Sequence, residues 1–311
     1  MKNQAFFKKV IKLFTDSVFD FLDDNAMKFS AALSYYTIFA LPPLIILIIS
    51  ASGLVFEQKE VSDFFYNQLN DLVGVNTSQE VKRAMENVNI NRSGTLPTVI
   101  GIGMLLFSAS GVFAEIQSSI NYIWGLAAKP NKSIVRFVKN RLLSFAMIAS
   151  VGFLLLVSLM VNSFVGILYE YIATWFDEEL VHVIYVVNNV IIFLVITLLF
   201  MLIFKTLPNG KIGFKETAIG AVFTTFLFMI GKFGIGYYLS TTATSSLYGA
   251  AGSIIIMLIW IYYSAMILYF GAEFTKNFAL LFGTPITPGS FSVEIEKNVI
   301  KKGECLKDSE I

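Results

Sequence analysis

Six apolar runs constrain this chain more than any other feature. They are Ala32–Phe56, Leu96–Ile123, Leu142–Tyr169, Val181–Phe204, Phe214–Leu239 and Tyr248–Lys276. A helix needs roughly 20 mostly apolar residues to cross a bilayer. In hydrocarbon every backbone polar group must find a partner within the protein, so such runs become helices or closed barrels. The alternation of a barrel strand is absent from them. The pattern predicts an all-α integral membrane protein with six transmembrane helices. Composition agrees, with 14% charged residues against about 25% in a soluble domain.

The orientation follows from charge. Of 23 Lys and Arg residues, 18 fall before the first run, between runs two and three, between runs four and five, or at and after the end of the last, with Lys215 and Lys276 counted at the inner ends of runs five and six. Four, Lys59, Lys82, Arg83 and Arg92, lie in the first loop, and Lys232 lies within run five. Positive charge marks the cytoplasmic side. Both termini are therefore expected inside.

This divides the chain into an N-terminal segment, 1–28, a six-helix membrane domain, 29–276, and a cytoplasmic tail, 277–311, expected to be partly disordered. In the first segment Phe7, Val10, Ile11, Phe14, Val18, Phe21 and Leu22 recur at helical spacing among Lys8, Lys9 and Lys12. That suits an amphipathic helix in the membrane interface, with membrane lipids as its partner, or a helix packed on the inner face of the bundle. The outer loop, 57–95, reads as two short amphipathic helices. Thr77-Ser-Gln-Glu80 forms a capping box at the start of the second. This loop is either a cap or a docking surface for a periplasmic protein.

Chemistry in an aqueous site is not indicated. His182 is the one histidine and Cys305 the one cysteine. No phosphate-binding loop, zinc motif or nucleophile elbow occurs. Carboxylates are scattered, and no basic groove for phosphates stands out. We expect no cofactor, no metal, no nucleic-acid partner and no enzyme.

The informative residues are inside the runs. A charge at mid-bilayer costs about 2.5–3.5 kcal/mol on insertion scales and should face a partner or water. Glu115 and Glu273 fall near the inner edge. Lys232 falls about 27 Å along run five at about 1.5 Å per residue, in the outer third. Arg136, Arg141, Lys28 and Lys205 are candidate partners for the acids. One reading closes structural ion pairs at the inner boundary while Lys232 snorkels to the outer headgroups. The other makes these residues polar entrances to one bundle. Asn121, Asn162, Asn188 and Asn189 add amides within the runs. Gly220, Thr224, Gly231 and Gly234, with Gly249, Ser253, Ser264 and Gly271, form small-residue faces for close packing.

Pro42 and Pro43 fall near the middle of run one. Two missing donors are expected to break the helix and free backbone groups near Tyr35, Tyr36 and Thr37. Broken helices mark substrate sites in transporters, and a static kink is the alternative.

Six stretches carry a resemblance: "KFSAALSYYTIFALPPLIILI", "INYIWG", "RFVKNRLLSF", "KTLPNGKIGFKETAIGA", "GKFGIGYYL" and "YGAAGSIIIMLIWIYYSAMILYFGAEF". In this order they resemble the YihY/BrkB family of bacterial inner-membrane proteins, from about Lys28 to Glu273. Pro208, Asn209, Gly220, Lys232, Tyr237, Tyr248, Gly249, Trp260, Gly271, Ala272 and Glu273 occupy matching positions. The resemblance implies a six-helix membrane protein. Members have carried a ribonuclease BN label now regarded as misassigned, virulence and serum-resistance labels, and transporter labels linked to envelope lipids.

The sequence therefore supports a transporter or flippase-like conduit for an amphiphilic envelope substrate such as a lipid. Pro42 and Pro43, beside Tyr35 and Tyr36, would open run one. Lys232, with Tyr237 nearby, would attract an anionic headgroup. Glu115, Asn121, Glu273, Arg136 and Arg141 would form the inner gate. The alternative is a non-transporting scaffold that docks a periplasmic partner through residues 57–95. An intramembrane enzyme is a distant third.

Overall fold

The computed structural model describes residues 2–52, 62–63, 66–67, 70, 78–79, 82, 95–129, 141–154, 178–241 and 250–295. Within them the chain is predominantly helical. Helix α1 is Lys2–Asp23 and α2 is Ala26–Ser52. Helix α3 is Thr95–Ile123, followed by strand β1, Leu126–Ala128. Helix α4 covers Arg141–Leu154 and α5 covers Glu178–Thr206. Strand β2, Gly210–Lys211, leads into α6, Phe214–Thr241. Helix α7, Ala250–Phe282, is followed by β3, Thr287–Pro288, and β4, Ser292–Glu294. Three described segments, Asn189–Thr206, Phe214–Gly234 and Ile254–Phe282, are long and apolar enough to cross a membrane.

Helix α7 is central and packs on α1, α2, α3 and α6, while α2 pairs with α3 and α5 with α6. Leu33, Ile116, Ile120, Phe204, Leu268 and Tyr269 lie in the shared core. Backbones approach closely where α6 crosses α7. A Cβ on Gly220 would strike Thr275, one on Gly271 would strike Thr224, and one on Gly231 would strike Tyr263. The threonine hydroxyls turn back on their own helices, Thr224 Oγ1 to Gly220 O at 2.7 Å and Thr275 Oγ1 to Gly271 O at 2.6 Å. This is how small residues let helices associate in lipid. Gly234 meets nothing within 4 Å and takes no part.

The expected break at Pro42 and Pro43 does not occur. Helix α2 runs unbroken from Ala26 to Ser52. A proline removes its own donor, but the remaining ladder survives where no water competes for the freed carbonyls and neighbouring helices hold the segment. Helix α2 is flanked by α3 and α7.

One end of the bundle carries a strap that the apolar pattern did not reveal. Helix α7 continues past Lys276 to Phe282, and the chain then folds back. Strand β4 pairs antiparallel with β1, matching Ala127 with Val293. Strand β3 pairs antiparallel with β2, matching Gly210 with Pro288. The first turn of α6 anchors the strap, where Glu216 Oε1 accepts the Thr284 N–H at 2.9 Å. The Glu216 side chain occupies the space that a Cβ would take at both Gly213 and Gly283. Gly125 ends α3 with a φ of 66° and accepts the Ile295 N–H at 2.8 Å. Glycine fits this left-handed position without the clash a side chain would bring.

Candidate functional site

The strapped end gathers the buried charge. Between α1 and α2, Asn25 adopts a φ of 56°, a conformation asparagine tolerates better than most residues. The resulting turn brings Asp24 alongside the end of α1. Helix α1 then lays Ser17 and Asp20 against α7, where Asn277 Nδ2 donates to Asp20 Oδ2 at 3.0 Å. Lys276, one residue earlier, is the hub. Its Nζ lies 3.0 Å from Asp20 Oδ2, 3.7 Å from Asp24 Oδ2 and 2.5 Å from Glu273 Oε2. It also donates to the Ile123 carbonyl at 3.2 Å. The Trp124 indole donates to the Ala272 carbonyl at 3.1 Å and closes the wall beside it.

Glu273 is fully buried, at 0% exposure. Its Oε1 has no hydrogen-bond partner among the described residues, and neither does the buried Tyr269 hydroxyl one helical turn away. Ser119 and Glu115 of α3 lie near that hydroxyl without a hydrogen bond to it. Ser119 Oγ contacts Glu115 Oε1 at 3.4 Å. A polar track therefore runs from Glu115 and Ser119 of α3 to Tyr269, Glu273 and Lys276 of α7. It ends in a cleft of about 290 Å³ whose walls include Asp20, Asp23, Asp24, Lys276 and Glu294. Three carboxylates share the single ammonium of Lys276, so the arrangement can accept positive charge. Among the described residues no set of three His, Cys, Asp or Glu side chains is placed to hold a metal ion.

Other predicted site residues are placed differently. The expected gate of Glu115 and Glu273 with Arg141 is not assembled. The Arg141 guanidinium lies 3.8 Å from the centre of the Phe107 ring, and its Nη2 donates to the Phe107 carbonyl at 2.8 Å. A planar cation stacks well on an aromatic face, which competes with the carboxylates for it. Lys205 is spent on the Ile212 carbonyl. Asn121 has a structural task, its Oδ1 accepting the Asn209 N–H at 2.8 Å in the α5–α6 turn. Gln117, not singled out by the sequence, holds the same turn by donating to the Leu207 carbonyl. Tyr35, Tyr36 and Phe39 are exposed, with the Tyr35 and Phe39 rings 4.9 Å apart. They line no polar interior with the acids. Arg136 and Asn162 lie outside the described residues, as do most of residues 57–95 and the side chains of Pro42, Pro43, Asn188 and Tyr237.

Lys232 belongs to neither cluster. It is half-buried on α6 and has no ion pair or hydrogen bond among the described residues. At the same level, on another face of α6, α5 and α6 enclose an apolar groove of about 390 Å³. Phe226, Met229, Ile230 and Phe233 form one wall, Val190 and Phe193 the other, with Asn189 as the polar member. The contact of Thr197 Oγ1 with Thr225 Oγ1 at 3.1 Å fixes the antiparallel register of the two helices.

Comparison with known proteins accords with this architecture. Residues 18–280 match the family described as virulence factor BrkB, and the chain belongs to that family. It is 26% identical over 268 residues to a UPF0761 membrane protein of Teredinibacter turnerae, covering 84% of this chain and 59% of that one. A second such protein, from Saccharophagus degradans, is 26% identical, with 84% and 58% covered. A third, from Aeromonas salmonicida, is 25% identical, with 82% and 84% covered. The chain thus spans about three-fifths of the length of the first two relatives. No solved structure matches it.

Proposed function

We propose that this membrane protein binds and moves an anionic amphiphilic lipid, using the groove between α5 and α6 in place of a central channel. The observation that carries the reading is the groove itself, with Lys232 at the same level of α6 on a different face of the helix. An apolar slot suits an acyl chain. The Lys232 ammonium, at the same level of α6, suits a phosphate or other anionic headgroup that it would meet at the interface by snorkelling. The chain would cross the inner membrane six times with both termini cytoplasmic, by the charge distribution. Lys232 then serves the outer leaflet. The exposed apolar face of α1, Phe7, Ile11, Phe14, Val18 and Leu22, with Lys8 and Lys12 beside it, would rest in the inner interface. The reading requires no bond-breaking step.

A second reading has its own observation. In the loop between α2 and α3, Ser78 Oγ donates to the Tyr66 carbonyl at 3.4 Å, and Lys82 Nζ stands 5.3 Å over the Tyr66 ring. A loop with internal contacts suits a scaffold that docks an envelope partner. Reconstitution in liposomes with labelled anionic lipids separates the two. We expect wild type, and a form lacking Glu60–Asn91, to move lipid faster than empty vesicles. Lys232→Ala should remove most of that gain. Rates equal to empty vesicles, with and without an imposed gradient, would defeat the transport reading and leave the scaffold.

A further inference from the structure

The strapped end holds a feature that lipid movement does not explain. Glu273 is an acid sealed at 0% exposure on a helix of membrane length, with one oxygen unpartnered. A buried polar atom without a partner is rare in native proteins and points to an occupant. A buried carboxylate that stays charged needs full compensation. The compensation here is divided. Lys276 offers one positive charge to Glu273, Asp20 and Asp24 together. Asp23 and Glu294 add further negative charge to the cleft behind it.

We propose that Glu273 is a proton-binding site, loaded from the Asp20–Asp24–Lys276 cleft. The groups facing it come from every neighbouring helix. Lys276 and Tyr269 stand on α7, and Asp20 and Asp24 on α1 and the turn after it. Helix α3 brings the Ile123 carbonyl to Lys276, and Ser119 and Glu115 to Tyr269. Helix α2 brings the Phe29 ring to Tyr269 at 6.4 Å. Helix α6 meets this stretch of α7 through Gly220 against Thr275 and Thr224 against Gly271, none of which titrates. Lys276 both lines the cleft and touches Glu273, so it stands between solvent and the acid.

The step is a simple transfer. An acid in the cleft, hydronium or buffer, releases its proton, and its conjugate base departs. An O–H bond forms on the Glu273 carboxyl. Lys276 keeps its charge and its contacts with Asp20 and Asp24. The neutral acid gains a donor that the carboxylate lacks, and Lys276 is then shared by the two carboxylates of Asp20 and Asp24 instead of by three. The Tyr269 hydroxyl lies one turn further along the same face, followed by Ser119 and Glu115. This is an inward continuation of the kind that acid chains supply in membrane pumps.

The test does not depend on lipid movement. Infrared difference spectra of the full chain in nanodiscs would be recorded across pH. A protonated-carboxyl band should grow as pH falls and should shift when glutamate is isotopically labelled. It should be lost in Glu273→Gln, which keeps the side-chain shape. If that variant does not fold, Glu273→Asp decides the matter, since its band should shift with aspartate labelling and no longer with glutamate labelling. Three results would overturn the proposal. One is no such band at any pH where the protein stays folded. Another is a band that ignores glutamate labelling. The third is a band set by sodium or potassium at fixed pH, which would make the occupant a metal cation.

Discussion

Lys276 and Lys232 are both lysines on membrane-length helices, and their surroundings are opposite. Lys276 is held by three carboxylates and a carbonyl, with 17% of its side chain exposed. Lys232 has no partner among the described residues and lies at the level of an apolar groove without lining it. The difference shows two ways of keeping a charge near lipid. At the strapped end, long-range folding builds a polar interior around the ammonium. At the groove the ammonium keeps its own route to the interface. The first charge is part of the scaffold, and the second is free to meet something else. The acids and Lys232 therefore do not line a shared polar interior among the described residues.

Substituting the two lysines in parallel breaks this contrast most strongly. Removing one partner from a buried ion cluster costs about 3–5 kcal/mol, because the remaining charges stay buried. We expect Lys276→Met to lower stability by about that amount in thermal unfolding of the detergent-solubilised protein. Lys232→Met should change it by less than about 0.5 kcal/mol, as for a residue without special contacts. Equal losses would mean that Lys232 has a buried partner of its own. A smaller effect is expected at the strap. Glu216→Ala removes a hydrogen bond to a charged acceptor, worth about 1.5–3 kcal/mol. It should speed amide hydrogen exchange in residues 284–295 and leave the α5–α6 groove unchanged. Unaltered exchange there would show that the β1–β4 and β2–β3 pairs hold the strap alone.

The helical character of the chain and its membrane class were legible in the apolar runs. Charge inside such runs is costly, which is what draws attention to Glu115, Glu273 and Lys232. Their partners were not legible. Asp20 and Asp24 sit in a segment that reads as an anchor, and they meet Lys276 only because α1 folds back onto α7. Lys276 looked like a boundary charge because α7 continues past the apolar run. Arg141 looked available to the acids, and an aromatic ring takes it instead. The proline pair was read too strongly, since local propensity yields where neighbouring helices support the backbone. The strap did leave a faint signal. A Pro-Gly-Ser turn precedes alternating Phe291, Val293 and Ile295, the pattern of a short strand. A tail with few apolar residues drew no attention to it.

The most direct test of the account is the location of the bound lipid. The full chain would be reconstituted with an anionic phospholipid carrying a photoreactive group on its acyl chain, and the crosslinked residues would be mapped. We predict adducts concentrated on the groove walls, at Val190, Phe193, Phe226 and Phe233, and depleted in Lys232→Ala. Adducts concentrated along the α2–α3–α7 seam near Glu115 and Tyr269, indifferent to Lys232, would contradict it.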